Sequence, residues 1–287
     1  MRPPLFIGCA FLASLGLLLT TTNGVSTAQR TRAANPGPGT GHAAAADYAL
    51  QFDFDDDLVS VRSHLGDLEF DYAFTVEAWV KPSSLAGTGY YKGIVCGGFN
   101  DTTSRCGDWK MSLSDGDYSK WGLGVCTWTK GCEAAYSGHG DLRLNQWQHL
   151  AGTYDGINIS LYRNGTPVAN SPHSDHVNVG GEYILFGIVE TSFCGLIDEV
   201  RLWDVARSQA QIQSDMHRVL RGDEPGLVGY WRFNEGSGQE VHDLAGYDNY
   251  GRLGASSDTD TQDPQWALSD VPILRYLLYL PLVVKQG

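Results

Sequence analysis

Charge is scarce in this chain, and positive charge is the scarcer sign. Only 18% of the 287 residues are charged, with 20 Lys and Arg against 33 Asp and Glu, for a formal net charge of −13. Nucleic-acid binding depends on clustered bases at phosphates, so this balance excludes nucleic acid as a partner and disfavours anionic membrane surfaces. Cys-x-x-Cys does not occur, and the cysteine-rich middle lacks a nearby histidine other than His139, which speaks against a zinc site. The sequence also lacks a Gly-x-Ser-x-Gly nucleophile elbow and a His-Glu-x-x-His zinc motif. Long apolar runs are missing as well. Leu5 to Leu19 is shorter than the roughly 20 residues a spanning helix needs. The tail Val271 to Lys285 is interrupted by Pro272, Arg275 and Pro281. No membrane span is expected.

What is present points to strands. Asp155-Gly156 and Asn164-Gly165 bracket Ile157 to Arg163. These dipeptides tolerate the positive φ angles of a type I′ turn. With Trp147 to Tyr154 before them and a run near Val168 after, they predict a three-strand antiparallel meander and an all-β class. Phe74 to Val80 alternates Phe, Val, Ala and Val with Thr, Glu and Trp, so both faces of that strand are expected to be covered. Glu77 then needs a partner on a neighbouring strand and reads as a structural carboxylate. Further short strands are expected near 93–96, 110–114, 121–127 and 133–137. One helix is expected near 208–220, with Ser208 as N-cap, Ile212, Met216, Val219 and Leu220 on one face, and Gly222 as its stop.

The same residues carry a family resemblance. Trp147 through Gly165 resembles the central repeat of laminin-G-like (LamG) jelly rolls, roughly W-x-H-x-A-x-T-Y-D-G, an apolar strand, then Tyr and N-G. Ala49 to Val61, Phe74 to Pro82, Gly195 to Trp203 and Gly229 to Gly238 resemble other strands of that family, in the expected order. The resemblance spans residues 47–268. It implies an antiparallel two-sheet jelly-roll sandwich of the concanavalin A-like lectin/glucanase superfamily, with pentraxin-like topology.

The ends read differently. Residues 1–28 have the pattern of a secretory signal peptide, with small residues Ser26-Thr27-Ala28 at the cleavage position. Residues 29–46, rich in Ala, Gly, Pro and Thr, read as a flexible linker. Residues 269–287 form an apolar C-terminal tail. A secreted or cell-surface location follows, and with it an oxidising compartment. Locality favours the disulfides Cys96–Cys106 and Cys126–Cys132, each flanking a short loop, and leaves Cys194 over.

Catalysis is not expected. Glycanases that share the sandwich place alternating carboxylates on one strand, and Glu69-Phe70-Asp71 lacks the third. The resemblance implies calcium as a structural cofactor, with Asp53 and Asp198 as carboxylate ligands and carbonyls near Phe54 and Asp56 completing the shell. The aromatic density of the middle segment favours carbohydrate, because exposed rings match the flat apolar faces of sugars. Trp121, Trp128, Tyr90 and Tyr91 are the candidates, with core packing as the alternative for each. A secreted binding module for carbohydrate is the expectation, and an adhesion or assembly protein that binds another extracellular protein is the alternative.

Overall fold

A computed structural model describes residues 46–53, 57–62, 72–84, 91–99, 108–114, 119–177, 183–188, 192–254 and 263–274. In chain order the strands are β1 (Tyr48–Phe52), β2 (Val59–Arg62), β3 (Phe74–Pro82), β4 (Tyr91–Phe99), β5 (Trp109–Ser114), β6 (Lys120–Thr127), β7 (Gly131–Tyr136), β8 (Gln148–Tyr154), β9 (Asn158–Arg163), β10 (Thr166–Pro172), β11 (Tyr183–Phe186) and β12 (Gly195–Trp203). The helix α1 (Gln209–Asp215) follows, then β13 (Leu227–Trp231), β14 (Glu240–Val241), β15 (Gly251–Leu253) and β16 (Gln265–Leu268).

These strands form the expected two-sheet antiparallel sandwich. The first sheet has the order β10-β9-β8-β3-β12-β1-β16, with β13 also paired to β12. The second has the order β14-β15-β2-β11-β4-β5-β6-β7. Alternation decides what lies between them. Phe74, Val76, Ala78 and Val80 of β3 share one core with Met111 and Leu113 of β5 and Trp121, Leu123 and Val125 of β6.

The β8-β9-β10 meander stands where the turn chemistry put it, but its two turns differ. Asn164 and Gly165 both take positive φ, 48° and 70°, the signature of a type I′ hairpin. At the other turn only Gly156 does so (φ 85°). There the Asp155 carboxylate accepts from the backbone N–H groups of Ile157 (2.9 Å) and Asn158 (2.7 Å), forming an Asx-turn.

Both faces of β3 are buried because residues 204–226, including α1, lie over the outer face of the first sheet. Thr75 Oγ1 donates to the Val205 carbonyl (2.7 Å), and the Trp79 indole donates to the Met216 carbonyl (2.8 Å). The helix begins as expected, with Ser208 and Gln211 forming a capping box. It ends at Asp215 rather than at Leu220. The Arg201 guanidinium takes the carbonyls of Asp215 (2.9 Å) and Arg218 (2.7 Å), and the chain then turns to bury Leu220 beside Trp203, Leu227 and Tyr230. No helix among the described residues is long and apolar enough to cross a membrane.

Candidate functional site

The densest group of ionisable side chains lies under α1. Glu77 on β3 accepts from Arg207 Nη1 at 2.8 Å, and its second oxygen lies 3.4 Å from His149 Nε2 on β8 and 3.9 Å from Arg201 Nη1 on β12. Burial alone would raise the Glu77 pKa. The neighbouring His149 and the charges of Arg207 and Arg201 outweigh burial and hold it down to about 2. Burial pushes His149 the other way, below its ordinary value, despite Glu77 beside it. Glu199 completes the network. A shift in the β12 register and a positive φ of 51° at Glu199 turn its carboxylate to this covered side. There it accepts from Arg201 Nη2 (3.0 Å), Arg232 Nε (3.0 Å) and the Tyr230 hydroxyl (2.6 Å). Each buried carboxylate is matched by a guanidinium, and Arg201 bridges the sheet to the end of α1. The group ties the helix to the sheet, and Glu77 has the partner its buried position requires.

The two carboxylates expected to share a calcium ion are not brought together. In the β1–β12 ladder Leu50 pairs with Ile197 and Phe52 with Gly195, so Asp198 stands level with Ala49. Asp53 is four positions further along, roughly 13 Å at the usual strand rise. Asp198 is buried, and both its oxygens are engaged. Oδ1 accepts from the Glu199 N–H (2.7 Å) and Oδ2 from the Ser269 hydroxyl (2.6 Å). Burial and the neighbouring Glu199 charge push its pKa up. The Asp53 N–H donates to Asp57 Oδ2 (2.6 Å). Phe54, Asp55 and Asp56 lie outside the described residues. Among the described residues no group of three or more His, Cys, Asp or Glu is placed to hold a metal.

The aromatic candidates separate. Trp121 is fully buried between the sheets and is corrected from a ligand platform to a core residue. Its parity explains this, since Trp121, Leu123 and Val125 alternate with Gly122 and Gly124 on the outer face of β6. Tyr90 and Cys106 lie outside the described residues. The Cys96 thiol, on β4, donates to the Ile188 carbonyl (3.1 Å). Tyr91 is half-buried on the outer face of the second sheet, with the Lys110 ammonium 3.8 Å from its ring centre and its hydroxyl 3.4 Å from that of Tyr136.

Trp128 is the exposed candidate, at 73%. It sits in the β6–β7 turn, where Gly131 takes a φ of 75°. Directly behind the turn Cys126 and Cys132 are register partners and form the expected disulfide. The turn is also stitched to residues 173–177. Thr127 pairs with Val177, and both are buried, so the next pair, Trp128 and His176, points outward on one face. The Trp128 N–H donates to the His176 carbonyl and its indole N–H to the Val177 carbonyl, both at 3.1 Å. Thr129 donates its N–H (2.7 Å) and hydroxyl (2.6 Å) to one Asp175 oxygen. Together with the His176 N–H, these bonds hold the Asp175 carboxyl down to about 2, with the Thr129 hydroxyl the largest cause. Lys130 reaches Ser174. Tyr72, 57% exposed, closes the group, with its hydroxyl 2.5 Å from His176 Nε2 and the two rings 4.0 Å apart. Gly156 leaves room for it, since a Cβ there would meet the Tyr72 carbonyl at 3.0 Å. Sequence reasoning missed Tyr72, Asp175 and His176, because the contact of residues 173–177 with the hairpin joins segments far apart in the chain.

The sequence has relatives. The family model Laminin_G_3, described as the concanavalin A-like lectin/glucanases superfamily, matches residues 54–213. Pappalysin-1 of Mus musculus is 39% identical over 95 residues, which is 29% of this chain and 6% of that protein. Pappalysin-1 of Homo sapiens is 38% identical over 82 residues, 25% of this chain and 5% of that protein. The chain thus spans only a small part of the curated relatives it matches. Among solved structures, a Bacteroides ovatus ATCC 8483 protein provisionally assigned as carbohydrate binding superposes with a TM-score of 0.59 at 20% identity, covering 80% of this chain and 62% of that one. At that identity the likeness shows the fold alone.

Proposed function

We propose that this chain, which belongs to the Laminin_G_3 family of the concanavalin A-like lectin/glucanase superfamily, is an extracellular, non-catalytic module that binds carbohydrate through the hairpin tip carrying Trp128. One observation carries the reading. Trp128 exposes most of a large ring, yet its backbone and indole N–H groups are both bonded to residues 176 and 177, and a disulfide closes the hairpin behind it. An exposed ring held in one orientation costs little to order on binding, which weak sugar binding requires. The two charges beside it, Asp175 and Lys130, are of opposite sign and leave the pair with no net charge, which suits a neutral ligand. The provisional assignment of the Bacteroides ovatus protein agrees in kind. An extracellular location rests on the N-terminal signal pattern and on the disulfide.

The test is a broad glycan array probed alongside a panel of extracellular proteins. Binding to a set of neutral glycans supports the reading. Failure on every glycan, with tight binding to a protein, replaces it with the adhesion alternative. A calcium site at the acidic run Asp53 to Asp57 is part of the proposal, one to which Asp198 would not contribute. Thermal melts in calcium and in EDTA test it. A shift of several degrees that survives Asp198→Asn and is lost in Asp53→Asn supports a cation at that run, and coincident melts remove calcium from the account.

A further inference from the structure

We infer that the Trp128 surface is one end of an aromatic strip, Trp128–His176–Tyr72, built to take at least two consecutive pyranose units of an unbranched neutral glycan. The inference rests on the carbohydrate reading of Trp128 and adds the length of the ligand and its second contact. Trp128 and His176 are opposite one another across the contact between the hairpin tip and residues 173–177. Opposed residues point to the same side, with Cβ atoms about 5 Å apart. The next step is the His176–Tyr72 ring contact, at 4.0 Å between centres. Two exposed rings, Trp128 and Tyr72, are thus joined through His176, which offers a second contact beyond the unit stacked on Trp128.

The strip is held at each point. Trp128 is fixed by two hydrogen bonds, Tyr72 by His176 Nε2, and His176 by the tie of its own backbone N–H to Asp175 Oδ1 (2.7 Å). Asp175 itself has a φ of 139°, a conformation an L-residue adopts only when its surroundings impose it. Here the two Thr129 bonds to its carboxylate and the Tyr154 hydroxyl on its carbonyl impose it. Tyr72 therefore serves as the second stacking ring, and His176 as the positioning residue between the two.

The experiment is calorimetric titration with ladders of one, two and three units built from glucose, xylose, mannose and galactose. On the ladder that binds, two units should bind at least tenfold more tightly than one, with little further gain from a third. Tyr72→Ala should remove that gain. Tyr72→Phe, which keeps the ring, should retain most of the gain, and His176→Ala should lose it in part. Trp128→Ala should lose binding at every length. Equal affinity for one and two units, or a Tyr72→Ala protein that binds two units like the wild type, overturns the strip while leaving Trp128 as the site. If no ladder and no arrayed glycan binds the wild-type protein, the carbohydrate reading falls, and the strip with it.

Discussion

Two regions of this molecule look functional for opposite reasons. Under α1 the chain concentrates its ionisable chemistry, with Glu77, His149, Glu199, Arg201 and Arg207 all buried. At the β6–β7 tip it places one exposed indole among hydrogen bonds that are already made. The first region has the residue types of a catalytic centre and the geometry of a strut. Its carboxylates are neutralised by guanidinium groups, and Arg201 also binds the carbonyls of Asp215, at the helix end, and of Arg218 just beyond it. The second has little reactive chemistry and a ring that faces solvent in a fixed orientation. Residue type alone would point to the first region, whereas exposure combined with rigidity is what supports the proposal for the second.

The sharpest way to separate the regions is to remove one partner from each. Arg201→Ala leaves Glu77 and Glu199 short of a buried countercharge and should destabilise by about 3–5 kcal/mol. Denaturant melts will read that loss, and the protein that remains folded should still bind glycan. Trp121→Ala empties a core site and should cost a similar ~3–5 kcal/mol. Acid probes the strut without mutation. The folded Glu77 pKa is about 2 against an ordinary 4.5, so its stabilisation is complete above about 4.5 and is lost as pH falls towards 2. The shift corresponds to about 3 kcal/mol. His149 acts in the same direction, since burial lowers its pKa and the unfolded chain takes up that proton first. Asp198 opposes both, because its raised pKa favours the folded state as protons bind. A pH–stability series should show the steep acid loss in the wild-type protein and a shallower one in Glu77→Gln. The smallest of these effects belongs to the tip. Replacing Cys126 and Cys132 with Ser should cost about 2 kcal/mol for so short a loop. It should also weaken glycan binding by loosening the turn, so melts and titrations on the same variant would check both.

Much of the fold was legible because its signals are local. The Asn164-Gly165 turn follows from residues that accept positive φ, and the start of α1 from a capping box four residues long. The need for a Glu77 partner followed from alternation in β3, but that partner, Arg207, is 130 residues away and nothing in the sequence names it. Trp121 is the avoidable error. Its odd–even register with Leu123 and Val125 marks it as inward-facing, whereas aromatic density treats every ring alike. Asp198 stands apart from Asp53 for a different reason. The strands β1 and β12 do pair, but a ladder fixes register as well as adjacency, and here the register separates Asp53 from Asp198. The strip beside Trp128 depends on residues 173–177 meeting a hairpin about 45 residues earlier, and no local rule reports that.

The central claim is that the chain binds through an exposed, prefixed ring and keeps its charges for structure. The most direct test is Trp128→Ala, measured for glycan affinity and melting temperature in the same preparation. Trp128 gives up one indole hydrogen bond and little buried area, so stability should change by about 1 kcal/mol or less. Binding to the arrayed glycans should be abolished. Retained affinity, or a loss of stability as large as that expected for Trp121→Ala, would contradict the account.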